Sequence, residues 1–310
     1  MAAEWKLGKR TPEEEKTVEE IVAGYIDSKI NILSPTTVSG YRKILKNNIS
    51  DIGHIRACDL TQKKVQSWIN ALAADHAPKT VKNVYALFST ALEFSTGKSF
   101  KVSLPARQKK IKTFPTAHEI FLAVEGTPIE IPVLLGMWEG MRQSEIRGAK
   151  RSKIKDGVLT IDSVVVTADG LHIEKDRTKT FESTRQLRLP KYILYLIDAL
   201  PPGQDYLTTK SGQAIYMSLR YYLKKAGLPL ISFHDLRHIN ASSMLAIGIP
   251  DKYAMERGGW SNPETMRNTY QHTFDDTRKR VDDLVDEYFQ RTILQGNCHE
   301  NCHGGENPPK

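Results

Sequence analysis

Six residues of this chain have the types and order needed to break a phosphodiester bond: Arg142, Lys179, His234, Arg237, Trp260 and Tyr270. The last four sit in dense segments, His234-Asp235-Leu236-Arg237-His238, Gly258-Gly259-Trp260-Ser261 and Asn268-Thr269-Tyr270-Gln271-His272. An attacked phosphodiester passes through a five-coordinate state that carries extra negative charge on its non-bridging oxygens. A planar, permanently charged guanidinium matches two such oxygens at once, and fixed charge aimed at a transition state is usually the largest catalytic contribution. Arg142 and Arg237 are the candidates for that work. Tyr270 is the candidate nucleophile. Its phenol, with an ordinary pKa of about 10, needs a positive pocket or a base, and His234 can accept the proton. The departing sugar hydroxyl needs a proton as its bond breaks, which Lys179 can deliver; Lys175 lies on the same expected hairpin. Taken singly, each residue has a plainer reading. Arg142 could cap a helix or pair with Glu145, Tyr270 could be a core aromatic, and His234 and Lys179 could be solvated surface groups. Their joint order and spacing favour the chemistry.

At these residues the chain resembles the tyrosine recombinases, the integrase family of phages and mobile elements. The resemblance rests on Gly140-Met141-Arg142-Gln143-Ser144-Glu145-Ile146, on Arg177-Thr178-Lys179-Thr180 followed by Ser183-Thr184-Arg185, on His234-x-x-Arg237, and on Gly259-Trp260-Ser261 ten residues before Tyr270. It covers roughly residues 13 to 290. Trp260 stands where many members carry histidine, and the resemblance implies that its indole N–H donates to the scissile phosphate. It also implies that Arg142 and Arg237 hold that phosphate, that Tyr270 forms a 3′-phosphotyrosyl link, and that Lys179 protonates the 5′-hydroxyl. Glu145 and His238 would fix the arginines. The covalent link conserves the energy of the broken bond, so no cofactor, metal or ATP is expected. The expected activity is site-specific recombination that integrates and excises a phage or other mobile element. A chromosome-dimer or plasmid resolvase of the same family is the alternative, a nicking-closing topoisomerase shares the tyrosine mechanism, and a DNA-binding protein without catalysis would need the constellation to be broken.

Length and periodicity supply the elements that must position these groups. A chain of 310 residues suggests two domains. Residues 1–12 read as a flexible arm. Helical periodicities follow near Val18 to Ile30, from Pro35 behind Ser34, from Thr61 to about Leu72, and from Pro78. They predict a helical unit over residues 13–97, which the resemblance makes the core-type DNA-binding domain. Residues 98–115 form a basic linker, and 116–290 a mainly helical catalytic domain. In the latter, Ala117 to Val124 and Pro132 to Trp138 read as helices. An Asp156-Gly157 turn opens a small antiparallel β-sheet carrying Lys179 at a turn. Helices resume from Tyr192, at Ile215 to Ala226, at His234 to Ile247 and at Pro250 to Arg257, with Asn262-Pro263 opening a last short one. The predicted fold class is therefore mostly α (α+β). Residues 291–310 read as a polar, disordered tail.

Charge is placed unevenly. Residues 1–112 hold 19 Lys and Arg against 11 Asp and Glu, while residues 113–310 balance. The whole excess of +8 therefore lies in the amino-terminal part and suggests a polyanionic partner. Lys43, Lys46, Lys63, Lys64, Lys79 and Lys82 are candidate DNA contacts on the helical domain, and Lys109, Lys110 and Lys112 on the linker. The resemblance implies double-stranded DNA at attachment sites as the partner and leaves room for an accessory directionality factor. No apolar stretch approaches the roughly 20 residues that span a bilayer, and Met1 to Arg10 lacks the apolar core of a signal peptide. A cytoplasmic protein of a bacterial host, nucleoid-associated when bound, is expected. Cys58, Cys298 and Cys302 cannot build a disulfide framework. Cys298-His299-Glu300-Asn301-Cys302-His303 offers metal-type ligands, but no second knuckle follows to fold around an ion, so no metal is expected. Val281, Leu284, Val285, Tyr288, Phe289 and Leu294 form an apolar stripe at helical spacing. The resemblance implies that such a helix reaches a neighbouring subunit, giving a monomer in free solution and a homotetramer on synapsed DNA. Neutralising Lys109, Lys110 and Lys112 is expected to weaken specific and random DNA binding alike and to flatten the salt dependence by roughly 0.9 for each phosphate no longer neutralised. A salt titration by fluorescence anisotropy checks this, and a weakening confined to the specific site would mean that the segment reads bases.

Overall fold

The computed structural model describes residues 12–106, 112–176, 184–260, 262–264, 283, 285–287 and 290. Lys179, Tyr270, Lys109, Lys110, the cysteine-bearing tail and all of the carboxy-terminal apolar stripe except Val285 lie outside the described residues. The chain forms two compact units, residues 1–110 with 166–173, and residues 111–165 with 174–310. No helix among the described residues is long and apolar enough to cross a membrane.

In the first unit, polar residues ahead of apolar periodic runs start the helices. A short α1 (Pro12–Glu15) precedes α2 (Val18–Ser28). The Thr17 hydroxyl accepts the Glu20 N–H, while the Thr17 N–H donates to the Glu20 carboxylate, so two donors without intrahelical partners are satisfied at once. Ser34 caps α3 (Pro35–Asn48), Thr61 caps α5 (Gln62–Asp75), and Pro78 occupies the first turn of α6 (Pro78–Thr96). These and α2 are the four expected helices. One turn, α4 (Ser50–Gly53), and a 3₁₀ turn at Ala57–Asp59 fill the connection between α3 and α5. Val22, Ile26, Ile52, Val65, Ile69, Val84 and Phe88 close the core of this unit.

The second unit is built around α8 (Glu130–Met137), all of whose residues are buried. That matches the near-continuous apolar run in its sequence. Gly136 brings α8 against α12 (Phe233–Ala246): a Cβ there would stand 3.2 Å from the Phe233 ring. Around this pair lie α7 (Ala117–Val124), α9 (Gln143–Gly148), α10 (Lys191–Asp198), α11 (Gly212–Lys225) and α13 (Asp251–Gly258). A single small sheet was the expectation, but the described strands form two. β1 (Ile154–Lys155), β2 (Val158–Ile161) and β5 (Arg185–Arg188) make a three-stranded antiparallel sheet in the order β1-β2-β5, with Leu159 opposite Leu187. β3 (Ser163–Ala168) and β4 (Leu171–Asp176) make a separate two-stranded one. Burial accounts for the split. Leu159, Ile161 and Leu187 alternate inward and join the core, whereas the middle of β3 stays half-buried. Both hairpins turn on Asp-Gly with positive φ, Asp156-Gly157 at 50° and 73° and Asp169-Gly170 at 49° and 81°, the combination a tight primed turn requires.

Gly148 ties α9 to β3. A Cβ on it would lie 2.8 Å from the Ser163 carbonyl oxygen, and the Ser163 hydroxyl donates to the Gly148 carbonyl at 3.1 Å. Gly148→Ala is expected to lower stability by roughly 1–3 kcal/mol, because backbone must shift to admit one methyl group. Thermal unfolding followed by circular dichroism checks this, and an unchanged or raised midpoint would show that the two segments have room to part.

Candidate active site

The chain leaves α8 through Gly140, whose φ of +66° places a would-be Cβ 2.6 Å from Asn240 Oδ1, so a side chain there meets both strain and a clash. Asn240, on α12, holds the same connection by donating to the Trp138 carbonyl at 2.8 Å. Two residues on, Arg142 is the extended residue that starts α9, at φ −73° and ψ 149°. Its N–H donates to Glu145 Oε2 at 2.9 Å, its Nη1 to Glu145 Oε1 at 2.7 Å, and its Nη2 to the Gly259 carbonyl at 2.6 Å. Glu145 is fully buried and also receives Arg185 Nη2 at 2.8 Å and Nη1 at 3.2 Å. Burial by itself would raise this carboxyl. The hydrogen bonds and charges of Arg185 and Arg142 outweigh burial and bring it down to about 2.

Arg237 enters from α12. Ser232 caps that helix: its hydroxyl accepts the Asp235 N–H at 3.3 Å, while its own N–H donates to Asp235 Oδ2 at 2.6 Å. Arg237 is only 2% exposed. It donates Nη1 to the Gly140 carbonyl and Nη2 to the Gly258 carbonyl, the latter at 3.0 Å. Its guanidinium carbon stands 4.5 Å from the centre of the Trp260 ring, within cation–π range. In the first turn of α12, the His234 ring meets His238 edge-on at 4.9 Å. Crowding by surrounding atoms, and then the charges of Arg237 and Arg142, hold His234 below its ordinary value despite the opposing pull of Asp235. A neutral ring at pH 7 is able to accept a proton. Burial and the neighbouring His234 bring His238 down to about 4.

These arginines converge on one helix end. α13 stops at Gly259, which is left-handed at φ 63°, and its last carbonyls have no intrahelical partners. Arg185 Nε donates to the Arg257 carbonyl at 3.1 Å, Arg237 to Gly258 and Arg142 to Gly259. The negative end of the helix dipole favours cations there. Small residues make the approach feasible: a Cβ on Gly258 would collide with the Trp260 indole, and one on Gly259 would lie 2.6 Å from Arg185 Nη1. Arg257 turns the other way and pairs at 2.9 Å with Glu139, which is fully buried. Beside this network opens a cleft of 2030 Å³, lined by Arg142, Arg185 and Trp260 and continuing over Met244, Ile247 and Tyr253.

Of the residues expected from sequence, Arg142, Glu145, Arg237 and Trp260 thus converge on one turn, and His234, in ring contact with His238, lies within electrostatic reach of both arginines. Lys179 and Tyr270 fall outside the described residues. Lys43, Lys46, Lys63, Lys79 and Lys82 are exposed on α3, α5 and α6, and Lys64 is exposed with its ammonium on the Asp59 carbonyl at 3.0 Å. Lys112 pairs with Asp235 at 3.0 Å, a partner that its place in a basic run does not announce. Arg185 is the member of this network to which the sequence assigned no role. The Ser183-Thr184-Arg185 pattern was the signal present, but nothing in it shows that Glu145 is the partner.

Residues 125–277 match the model of the phage integrase family. An integrase of Saccharopolyspora erythraea is 40% identical over 70 residues, which is 23% of this chain and 16% of that protein. A XerC-like tyrosine recombinase of Caldanaerobacter subterraneus is 24% identical over 299 residues, covering 80% of this chain and 76% of the relative. Among solved structures, the Tn1549 transposon integrase in complex with a circular intermediate DNA superposes with a TM-score of 0.71 at 16% identity, over 87% of this chain and 99% of that one. At that identity the likeness is one of fold. With the family match falling on the segments that carry Arg142, His234, Arg237, Trp260 and Tyr270, residues 125–277 are a phage integrase family domain and the chain is a tyrosine recombinase.

Proposed function

We propose that this chain integrates and excises a phage or other mobile element by cutting and rejoining double-stranded DNA at attachment sites. The observation that carries the reading is the convergence of Arg142 and Arg237 on the end of α13 beside Trp260, with neutral His234 close by. A scissile phosphate in the cleft takes hydrogen bonds from Arg142, whose side chain is 35% exposed, and Arg237, 2% exposed, adds its charge from behind. The Tyr270 oxygen attacks phosphorus and its proton passes to His234. The bond to the 5′-oxygen breaks, that oxygen takes a proton from Lys179, and a 3′-phosphotyrosyl link remains. The 5′-hydroxyl of a partner strand then attacks the link and releases Tyr270, so strands exchange with bond energy conserved. Both arginines act on charge that grows in the transition state, which is where preorganised donors are worth most.

Lys43, Lys46, Lys63, Lys79 and Lys82 supply phosphate contacts that carry no sequence information. The apolar stretch of the cleft, Met244, Ile247 and Tyr253, supports assembly through the stripe at Val281 to Leu294, giving a monomer in free solution and a tetramer on synapsed sites. A lambda integrase tetramer bound to a Holliday junction has the same fold, with a TM-score of 0.62. Resolution of chromosome or plasmid dimers is the second reading, favoured by the length over which the XerC-like relative matches. Recombination between paired sites on one plasmid or on two separates it from the first.

Tyr270→Phe is expected to bind DNA normally, since affinity comes mainly from phosphate contacts, and to form no covalent adduct on a nicked suicide site. An adduct that persists on a denaturing gel would move the nucleophile elsewhere. Arg142→Lys and Arg237→Lys keep the charge and lose the planar fork. Single-turnover cleavage is expected to fall roughly 10²-fold or more, with half-site binding changed far less. Equal losses in binding and cleavage would make both residues simple DNA anchors.

A further inference from the structure

We infer that Arg185 is a positioning residue for strand cleavage: it offsets the Glu145 carboxylate, so that the charge of Arg142 is left less cancelled for the phosphate, and it fixes the turn that presents Trp260. The inference rests on the proposed recombinase reading. Glu145 is fully buried, and its two oxygens are shared between two guanidiniums, Arg142 at 2.7 Å and Arg185 at 2.8 and 3.2 Å. The two guanidiniums together outweigh the one carboxylate they share. Taking the Arg185 charge away would leave the carboxylate to cancel more of the field that Arg142 exerts on a phosphate in the cleft. The third donor of Arg185 is also in use. Nε holds the Arg257 carbonyl at 3.1 Å, one residue ahead of the Gly258-Gly259 turn, and Nη1 lies against Gly259 itself. All three nitrogens of the Arg185 guanidinium are engaged, by Glu145 and by the Arg257 carbonyl, so it works through its neighbours. Because β5 carries it, the three-stranded sheet fixes its position against α9 and α13.

The test uses the full chain with Arg185→Met, Arg185→Lys, Glu145→Gln and the Arg185→Met/Glu145→Gln double variant. Single-turnover cleavage of a suicide site, half-site binding and thermal unfolding are measured for each. Arg185→Met is expected to slow cleavage on the order of tenfold to a hundredfold while half-site binding stays within about twofold of wild type. Arg185→Lys, which keeps the charge, is expected to recover most of that loss. In the Glu145→Gln background, Arg185→Met is expected to cost less than about threefold more, because the carboxylate it offsets is gone. Parallel losses of binding and cleavage, additive effects of the two substitutions, or Arg185→Lys as slow as Arg185→Met would overturn the inference. Should Arg185→Met not fold, Arg185→Lys and its coupling to Glu145→Gln decide by the same criteria. A wild type that forms no covalent adduct would sink the recombinase reading and this one together, whereas an active wild type matched by both Arg185 variants sinks this one alone.

Discussion

Three guanidiniums meeting the carbonyl end of one helix is the arrangement on which the rest of the site depends. Arg185, Arg237 and Arg142 donate in turn to the carbonyls of Arg257, Gly258 and Gly259. Each side of this contact needs the other. Helix-terminal carbonyls in a crowded setting would lose water without gaining partners, and clustered arginines would repel one another if they met only solvent-poor space. The carbonyl dipoles and the buried Glu145 carboxylate offset that repulsion, and the guanidinium, more weakly hydrated than an ammonium, is the cation that loses least on entering. The result is positive charge fixed in advance, where a phosphate needs it.

Such a cluster has to be imposed from outside, because nothing local would hold it. α8 and α12 provide the frame. α12 delivers Arg237 and, three residues later, Asn240, and both hold the connection between α8 and α9, through the Gly140 and Trp138 carbonyls. Arg142 then leaves that connection at a defined angle, and Glu145, in the first turn of α9, fixes its backbone and its fork together. Close packing of α8 on α12 at Gly136 transmits the rigidity of an apolar core to a polar site a few residues away. Glu145 therefore serves two ends: it starts α9 as a capping partner, and it sets the charge of the site.

The two units divide the electrostatic labour. The first carries the excess of positive charge as exposed lysines on helix surfaces, suited to tracking a phosphate backbone through solvent. The second is nearly neutral overall, and its important cations are arginines drawn inward and matched to carbonyls and carboxylates. In the proposed reading the surface lysines tune affinity and its response to salt, whereas the buried arginines serve a single phosphate. Lys112 belongs to both patterns, since it lies at the end of the basic run and ends on Asp235 at the start of α12.

Helices, turns and the chemical inventory are legible in the order of residues alone. Capping residues such as Ser34 and Thr61, and the Asp156-Gly157 turn, act on backbone groups within four residues, so their meaning is local and survives without knowledge of the fold. Arg142, His234, Arg237 and Trp260 were legible for a related reason: phosphoryl chemistry demands those residue types, and an unrelated chain has no cause to place them all in that order. Only the tertiary structure decided what each charge faces. Glu145 and Arg185 stand 40 positions apart, and Arg257 and Glu139 118 apart, and no periodicity links such pairs. The division of the strands into two sheets was likewise settled by which side chains the core had room to bury, Leu159 and Leu187 on one sheet while the middle of β3 stayed half-buried. Short-range hydrogen bonding is written residue by residue, whereas the partner of a buried charge is fixed only when distant segments close on one another and exclude water.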